Sequence, residues 1–317
     1  MTSIFHRIVD FLLSWISLAQ NSQYGWKSVV RKTGEVVHEQ QPLKKKIKLL
    51  LLFNPIMEWL DRTHAMRLYI HRESDRAGRE ERAASSKSQI AGFVDAYNIN
   101  MKDFDPPNID AYGSFRRLLH APAHARAVVV ADSRVVVYDS VAKTKALWIK
   151  GQDFDMTNLV MDTQLGARFD GAAVASFRLS PQDYHRYHPP VAGRVTAFRS
   201  LPGDYYQVDP IALRSNVDIL TRNARDYVVI DTKEFGEVLF VAIGATDVGS
   251  VQFHKEWRTP GNEIRKGDEL GIFQFGGSSI IVAFQAGRIK FDDDLRDLSM
   301  QRIQVAVEVG MSLGSAV

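Results

Sequence analysis

Two kinds of hydrophobic pattern divide the chain. Over residues 5–20 apolar side chains recur every three or four positions, which is the spacing of one face of an amphipathic helix. From about Ala127 onward the pattern changes to short β-branched runs separated by glycine and proline, which is typical of strands. We therefore predict an α+β protein with a helical N-terminal region over residues 1–110. A β-rich, sandwich- or barrel-like body is predicted over residues 111–317.

The strand pattern is clearest in seven runs of the second region. They do not alternate with helical patterns, so a parallel βαβ array is not predicted. The runs are 127–132, 134–140, 146–151, 227–232, 237–244, 279–284 and 303–310.

A second N-terminal segment combines basic and apolar residues. Lysines cluster at 44–48, leucines occupy 49–52, and Trp59 follows. This composition suits the surface of an anionic membrane, but an amphipathic helix packed on the body with its lysines in solvent explains it as well. The earlier run, 5–20, is too short and too interrupted to span a bilayer, which needs about 20 apolar residues.

Composition leaves the predicted elements unchanged and only excludes some classes of protein and site. The chain has 317 residues, a formal net charge of +3, 45% hydrophobic residues and 24% charged residues, which is ordinary for a soluble globular protein. It has no cysteine, which excludes a disulfide scaffold, a thiolate metal site and a cysteine nucleophile. The mild net charge gives no reason to expect a nucleic-acid partner.

Three segments contain polar groups in positions suited to chemistry. Asp132 lies between two apolar runs, residues 178–195 contain two histidines three apart, and residues 266–284 contain a Gly-Gly-Ser-Ser sequence. Taken singly, each has an ordinary structural explanation in a turn or loop. The histidines are flanked by prolines and lack a third ligand cluster, so no metal site is predicted.

Taken together, the segments resemble the phosphatidylserine decarboxylases, a family of pyruvoyl-dependent enzymes. The family's D-Y-H-R-x-H run is present at 183–188, and its G-S-S processing motif is present at 277–279. The stretches WIKGQDF (148–154), PGDYYQV (202–208) and FGEVLFVAIGATDVGSV (235–251) also look familial. The resemblance covers nearly the whole chain from about Tyr24 and is closest to fungal-type members.

The resemblance implies a proenzyme that cleaves itself between Gly277 and Ser278, giving chains 1–277 and 278–317. Ser278 would be the nucleophile, His188 its base, and Asp132 the residue that orients His188 and stabilises its cation. Ser278 would then become the covalent pyruvoyl cofactor, which forms a Schiff base with the substrate amine. His185 would assist decarboxylation or supply the proton that replaces carbon dioxide.

Two further residues of the same run have open roles. Asp183 either orients the histidines and their loop or is purely structural. Arg186 either meets a phosphate or carboxylate of the substrate or forms a surface ion pair. The sequence departs from the family pattern in segment 114–128 and at Ser133, where the family has a glycine after the aspartate.

The implied substrate is phosphatidylserine, or another amine-bearing molecule, and the implied product is phosphatidylethanolamine. We expect a peripheral, intracellular membrane protein whose two chains stay associated after cleavage, with a homodimer as a candidate assembly. One alternative is a related pyruvoyl-dependent decarboxylase of a soluble aromatic amino acid. Another is an inactive paralogue acting as a binding module, because KGDELGIF (266–273) resembles the hairpins of biotinyl and lipoyl carrier folds.

Overall fold

The computed structural model describes residues 27–38, 126–149, 154–180, 183–208, 213, 217–245, 250–274 and 278–317. In this part of the chain, strands form three sheets and short helices lie between them. The strands are β1 (Lys27–Val30), β2 (Val36–His38), β3 (Arg126–Val128), β4 (Ser133–Tyr138), β5 (Ala173–Leu179), β6 (Arg186–Tyr187), β7 (Gly193–Leu201), β8 (Arg225–Thr232), β9 (Gly236–Ile243), β10 (Ser250–Phe253), β11 (Glu263–Ile264), β12 (Gly271–Gln274), β13 (Ser278–Phe284), β14 (Ile289–Phe291), β15 (Gln304–Val307) and β16 (Ser312–Ala316). The helices are α1 (Val141–Leu147), α2 (Met156–Val160), α3 (Thr163–Arg168), α4 (Ile219–Arg222), the 3-10 helix Lys255–Arg258, and α5 (Asp293–Met300).

The largest sheet has the strand order β11-β7-β8-β9-β13-β5-β4-β15-β1-β2. Its pairings are antiparallel except for β1 with β15, which is parallel. Two three-stranded sheets, β10-β12-β6 and β14-β16-β3, complete the strand architecture. The predicted α+β class with a β-rich body is confirmed.

The centre of the large sheet is β13, which lies between β5 and β9. Every residue of β13 and of β5 is buried. A continuous buried run of this kind indicates a strand that is covered on both faces. The start of β13, where Ser278 lies, is therefore inside the body.

Most of the predicted strand runs are confirmed, but the prediction for 146–151 is wrong where the structure describes it. Residues 141–147 form α1, and the side chain of Ser140 accepts a hydrogen bond from the Lys143 backbone nitrogen at 3.3 Å. This N-cap satisfies one of the unpaired donors of the first turn and favours the helix over a strand. The predicted N-terminal helices lie outside the described residues, and residues 27–38 form the β1–β2 hairpin.

Strand β5 was not among the predicted runs because Ser176 and Arg178 interrupt its apolar pattern. The structure accommodates this buried arginine with two side-chain acceptors. Its guanidinium donates to Ser180 Oγ and to Gln304 Oε1, each at 3.1 Å. A buried charge is tolerated where hydrogen bonds replace water in this way.

A second buried arginine, Arg225, joins the helical segment to the large sheet. Its side chain begins on β8 and donates to the carbonyl oxygens of Asn158, Leu159 and Asn223 at 2.7–2.9 Å. Burial lowers its pKa to about 10. The contacts with α2 hold that helix against the sheet.

The last 40 positions of the chain, residues 278–317, contribute to two sheets. Strands β13 and β15 belong to the large sheet, where β5 and β4 lie between them, and β14 and β16 belong to a small sheet. Among the described residues, no helix is both long enough and apolar enough to cross a membrane.

Candidate active site

Ser278 is the first residue of β13, where it pairs with Leu179 of β5. Its side chain is fully buried, and its Oγ has no hydrogen-bond partner in the structure. The next residue differs, since Ser279 Oγ donates to the Phe177 carbonyl at 3.0 Å. A buried hydroxyl without a hydrogen-bond partner lowers the stability of a folded protein by roughly 1–3 kcal/mol. Ser278 therefore destabilises the fold at this position. Such a group is a natural candidate for chemistry.

His188 is buried on the segment that follows β6. Its backbone nitrogen donates to the Val130 carbonyl at 2.9 Å, which holds the segment beside the strand run that leads to Asp132. Its ring Nδ1 lies 2.9 Å from the Asp268 carbonyl oxygen, and Nε2 lies 3.4 Å from the Tyr184 hydroxyl. Burial lowers the pKa of His188 below its ordinary value of 6.5. The imidazole is therefore neutral near pH 7 and able to accept a proton.

The tautomer of His188 follows from these contacts. A carbonyl oxygen only accepts hydrogen bonds, so Nδ1 carries the hydrogen and donates it to Asp268. Nε2 then has the free lone pair that a base needs. The backbone of Asp268 fixes the ring in this orientation.

Asp132 lies immediately before β4, and its Oδ1 accepts a hydrogen bond from the Val309 backbone nitrogen at 2.8 Å. It follows Val130, the backbone partner of His188, by two residues. Its negative charge helps to raise the pKa of Tyr184, after the larger effect of burial and that of Glu269. Asp132 is thus within electrostatic range of Tyr184, the residue whose ring stacks on His188.

His185 lies on the same loop and is half-buried. Its Nδ1 lies 2.7 Å from the Asp183 carbonyl oxygen, and its own carbonyl accepts from the Phe273 nitrogen at 2.9 Å. The second bond places His185 beside β12, the strand that precedes Ser278 in the chain. Gly277, the predicted cleavage residue before Ser278, lies outside the described residues.

The side chains of Asp183 and Arg186 have structural partners. Asp183 forms an ion pair with Arg134 and accepts from the Ser180 backbone nitrogen at 2.7 Å. Arg186 forms an ion pair with Glu269, whose carboxylate also lies 2.6 Å from His254 Nε2. Through these contacts Asp183 shapes the loop, and Arg186 belongs to an ion-pair cluster with Glu269 and His254.

Sequence reasoning missed Tyr184 and the carbonyl of Asp268 as partners of His188. Tyr184 was visible inside the D-Y-H-R-x-H run, four positions before His188, but no helical or strand period indicated that the two rings meet. Asp268 contacts His188 through its backbone, which no residue type signals. Among the described residues, no group of three or more His, Asp or Glu side chains is placed to hold a metal ion.

A buried serine that starts a central strand, together with a buried neutral histidine on a neighbouring loop, defines a serine-based candidate site in an α+β protein. The chain matches the model of the family "Phosphatidylserine decarboxylase" over residues 114–315, which includes each of these site residues. The protein belongs to the phosphatidylserine decarboxylase family.

Relatives from fungi and bacteria agree with this assignment. "Phosphatidylserine decarboxylase proenzyme 2" of Komagataella phaffii is 33% identical over 90% of this chain and 29% of its own length. The "Phosphatidylserine decarboxylase proenzyme" of Fusobacterium nucleatum is 29% identical, with 90% of this chain and 96% of the relative covered. That of Chlamydia trachomatis serovar L2 is 36% identical over 71% of this chain and 77% of the relative. The chain spans less than a third of the length of the fungal relatives it matches.

Proposed function

We propose that the protein is a self-cleaving, pyruvoyl-dependent phosphatidylserine decarboxylase that makes phosphatidylethanolamine. The observation that carries the proposal is the buried Ser278 hydroxyl, which has no hydrogen-bond partner and stands second in the G-S-S motif. The proenzyme names of relatives whose sequences align over 90% of this chain support the same reaction.

Self-cleavage begins when Ser278 Oγ attacks the carbonyl carbon of Gly277. A serine hydroxyl is a poor nucleophile unless a base takes its proton, and the neutral Nε2 of buried His188 is suited to that task. The bond from Gly277 to the Ser278 nitrogen breaks as an ester forms at Oγ, and that nitrogen takes the proton from Nε2. From the family resemblance we assign to Asp132 the role of orienting His188 and stabilising its imidazolium.

The ester then eliminates across Cα–Cβ of residue 278, releasing chain 1–277 with a terminal carboxylate. Hydrolysis of the resulting enamine consumes one water, releases ammonia and leaves a pyruvoyl group on chain 278–317. The residues present fit this group, because the Ser278 side chain is the one consumed and no hydrogen bond of its hydroxyl is lost. A pyruvoyl carbonyl acts as an electron sink for decarboxylation of an amine-bearing substrate.

His185 has a separate task in this proposal. Its Nδ1 is occupied by the Asp183 carbonyl, so the hydrogen lies on Nδ1 and Nε2 is the nitrogen that exchanges protons with substrate. We assign to it the proton that replaces carbon dioxide, which Nε2 first takes up from solvent and then passes to the substrate carbon. A lipid substrate requires the protein to work at a membrane surface, so we propose peripheral membrane association.

Intact-mass measurement of purified protein tests the self-cleavage step. Wild-type protein is expected as two chains, 1–277 and 278–317, the second with the mass of an N-terminal pyruvoyl group. Ser278→Ala is expected to remain a single full-length chain, because the hydroxyl that attacks is gone. Ser279→Ala is the matched control, since Ser279 is equally buried but its hydroxyl is bonded to Phe177, and it should still cleave at 277/278. Cleavage of Ser278→Ala at this bond would overturn the mechanism.

A substrate assay tests the rest of the proposal. Processed protein is expected to release carbon dioxide from phosphatidylserine in vesicles and not from tryptophan. Turnover of tryptophan alone would favour the soluble-substrate alternative. Absence of any cleaved chain in the wild type would instead favour a binding module.

A further inference from the structure

Tyr184 lies directly against the base of the proposed mechanism, although that mechanism gives it no role. Its ring is stacked on the imidazole of His188, with 5.9 Å between the centroids and 13° between the planes. Its hydroxyl lies 3.4 Å from His188 Nε2. Tyr184 therefore meets the one ring nitrogen that is free to accept a proton.

The contact at Nδ1 of His188 determines which group donates in the contact between Tyr184 and Nε2. Nδ1 donates to the Asp268 carbonyl, so Nε2 is an acceptor and the Tyr184 hydroxyl is the donor. Burial is the largest cause that raises the pKa of Tyr184, and the charge of Glu269 adds to it. The hydroxyl therefore keeps its proton throughout the physiological range.

The nucleophile is not engaged by the base in this arrangement. Ser278 Oγ is buried without a hydrogen-bond partner, while Nε2 faces the hydroxyl of Tyr184. The arrangement is that of the chain before proton transfer, with the Tyr184 hydroxyl 3.4 Å from Nε2.

We propose that Tyr184 is a positioning residue of self-cleavage, whose stacked ring fixes the plane of His188 and whose hydroxyl occupies Nε2 until Nε2 takes the proton of Ser278. This inference rests on the proposed self-cleavage. In the step, the Ser278 proton moves to Nε2, an Oγ electron pair forms the bond to the Gly277 carbonyl carbon, and the π pair of that carbonyl moves onto its oxygen. Tyr184 keeps its own proton and gives up only its contact with Nε2.

The hydroxyl and the ring of Tyr184 have separable effects. A hydroxyl that donates to Nε2 stabilises the neutral imidazole, because it would have to turn its oxygen toward a protonated Nε2 to bond it. Removing the hydroxyl therefore raises the pKa of His188. Two other charges act on the ring: Glu269 raises the pKa of His188, and Arg186 lowers it. These two side chains form an ion pair with each other, and the substitution leaves that pair in place.

The first test is an NMR titration of the His188 imidazole in uncleaved Ser278→Ala protein. Adding Tyr184→Phe is expected to raise the His188 pKa by about half a pH unit or more, the size of one lost weak hydrogen bond. Tyr138→Phe is the matched control, since Tyr138 is also buried and its hydroxyl donates to the Ser299 carbonyl at 3.3 Å; it should leave the titration unchanged. An unchanged or lowered His188 pKa in Tyr184→Phe would overturn the proposal.

The second test follows the rate of self-cleavage against pH. The rate falls on the acid side as His188 becomes protonated, and in Tyr184→Phe this limb is expected at higher pH, with a plateau no slower than wild type. Tyr184→Leu, which also loses the stacked ring, is expected to cleave about tenfold more slowly on the plateau. Plateau cleavage at the wild-type rate in Tyr184→Leu would overturn the role of the stacked ring.

The two proposals fail in different ways. If wild-type protein never cleaves at 277/278, the proposed function fails, and the titration in the Ser278→Ala background still tests the contact between Tyr184 and His188. If wild-type protein cleaves and Tyr184→Phe shows the wild-type pH profile, only the role of Tyr184 fails.

Discussion

The two histidines of the D-Y-H-R-x-H run lie in different surroundings although they are three residues apart. His188 is 5% exposed, stacks on Tyr184 and has a lowered pKa. His185 is half-buried and is held through Nδ1 by a backbone carbonyl of its own loop. Burial therefore suits His188 to a reaction inside the folded precursor and leaves His185 able to meet an incoming substrate.

This difference predicts separate losses for the two histidines. His188→Ala should slow self-cleavage by about 100-fold or more, the typical contribution of a general base. His185→Ala should cleave normally, yet the processed protein should lose about 100-fold or more in turnover, because the proton donor is absent. Gel analysis of cleavage over time and release of carbon dioxide from phosphatidylserine vesicles measure the two effects independently.

Each histidine variant serves as the control for the other. Comparable thermal melting of the two proteins would show that neither has simply unfolded. Equal loss of cleavage in both would contradict the division of tasks between His185 and His188.

The same contrast shows how far residue-level prediction reaches. The motifs that resemble the family predicted Ser278, His188, Asp132 and His185 as a set of candidate site residues. They did not predict that the Nδ1 partner of His188 is a backbone carbonyl from residue 268. Backbone contacts between distant segments depend on strand register, which side-chain identity does not report.

At the scale of elements, the β1–β2 hairpin is attached to the C-terminal part of the chain. Strand β1 pairs in parallel with β15, with Ser28 opposite Gln304 and Val30 opposite Ala306. Among the described residues, the hairpin's ion pairs also fall within 278–317. The guanidinium of Arg31 contacts Asp292 at 2.9 Å and Asp294 at 2.6 Å, and it also donates to the Ser312 carbonyl.

Arg31 is expected to hold this hairpin in place. Its side chain is 16% exposed and bridges two carboxylates and a carbonyl, so its charge-assisted bonds are stronger than those of an exposed pair. Arg31→Ala should speed amide exchange in β1 and β15 by on the order of tenfold, and leave β13 unchanged. Hydrogen–deuterium exchange read by mass spectrometry measures both regions in one experiment.

Lys32 provides the matched control for Arg31. It forms an ion pair with Glu308 at 3.1 Å, but its side chain is 62% exposed. Lys32→Ala should therefore change exchange in β15 by less than about twofold, as expected for an exposed pair. A similar effect of the two substitutions would contradict the role assigned to Arg31.

Element prediction succeeded where the apolar pattern was continuous and failed where polar residues entered it. Strand β13 was visible in the run from 279 to 284, whereas β5 was concealed by Arg178, which donates both to nearby Ser180 and to distant Gln304 of β15. The predicted strand at 146–151 failed because helix α1, which begins after the cap at Ser140, continues to Leu147. Long-range hydrogen bonds and local caps thus explain both differences.

At the scale of the whole molecule, the predicted cleavage site lies between β12 and β13, and the parts of the chain on both sides of it contribute strands to the large sheet. Strand β13 of the C-terminal part is enclosed by β5 and β9, and β15 is enclosed by β4 and β1. The rest of the large sheet comes from residues before 277. These placements support the proposal that the two chains stay associated after cleavage, because neither strand can leave without breaking ladders on both of its sides.

The association of the chains predicts a concentration-dependent unfolding of the processed protein. Because buried β13 lies at the centre of the large sheet, urea should release chain 278–317 only in the transition that also unfolds the large sheet. Unfolding of a two-chain protein produces two molecules, so its urea midpoint should rise with protein concentration. Uncleaved Ser278→Ala protein has the same strands in one chain, and its midpoint should be independent of concentration. Circular dichroism combined with size-exclusion chromatography across a tenfold range of concentration measures both. Release of the small chain while the sheet signal is intact would contradict this architecture for the processed protein.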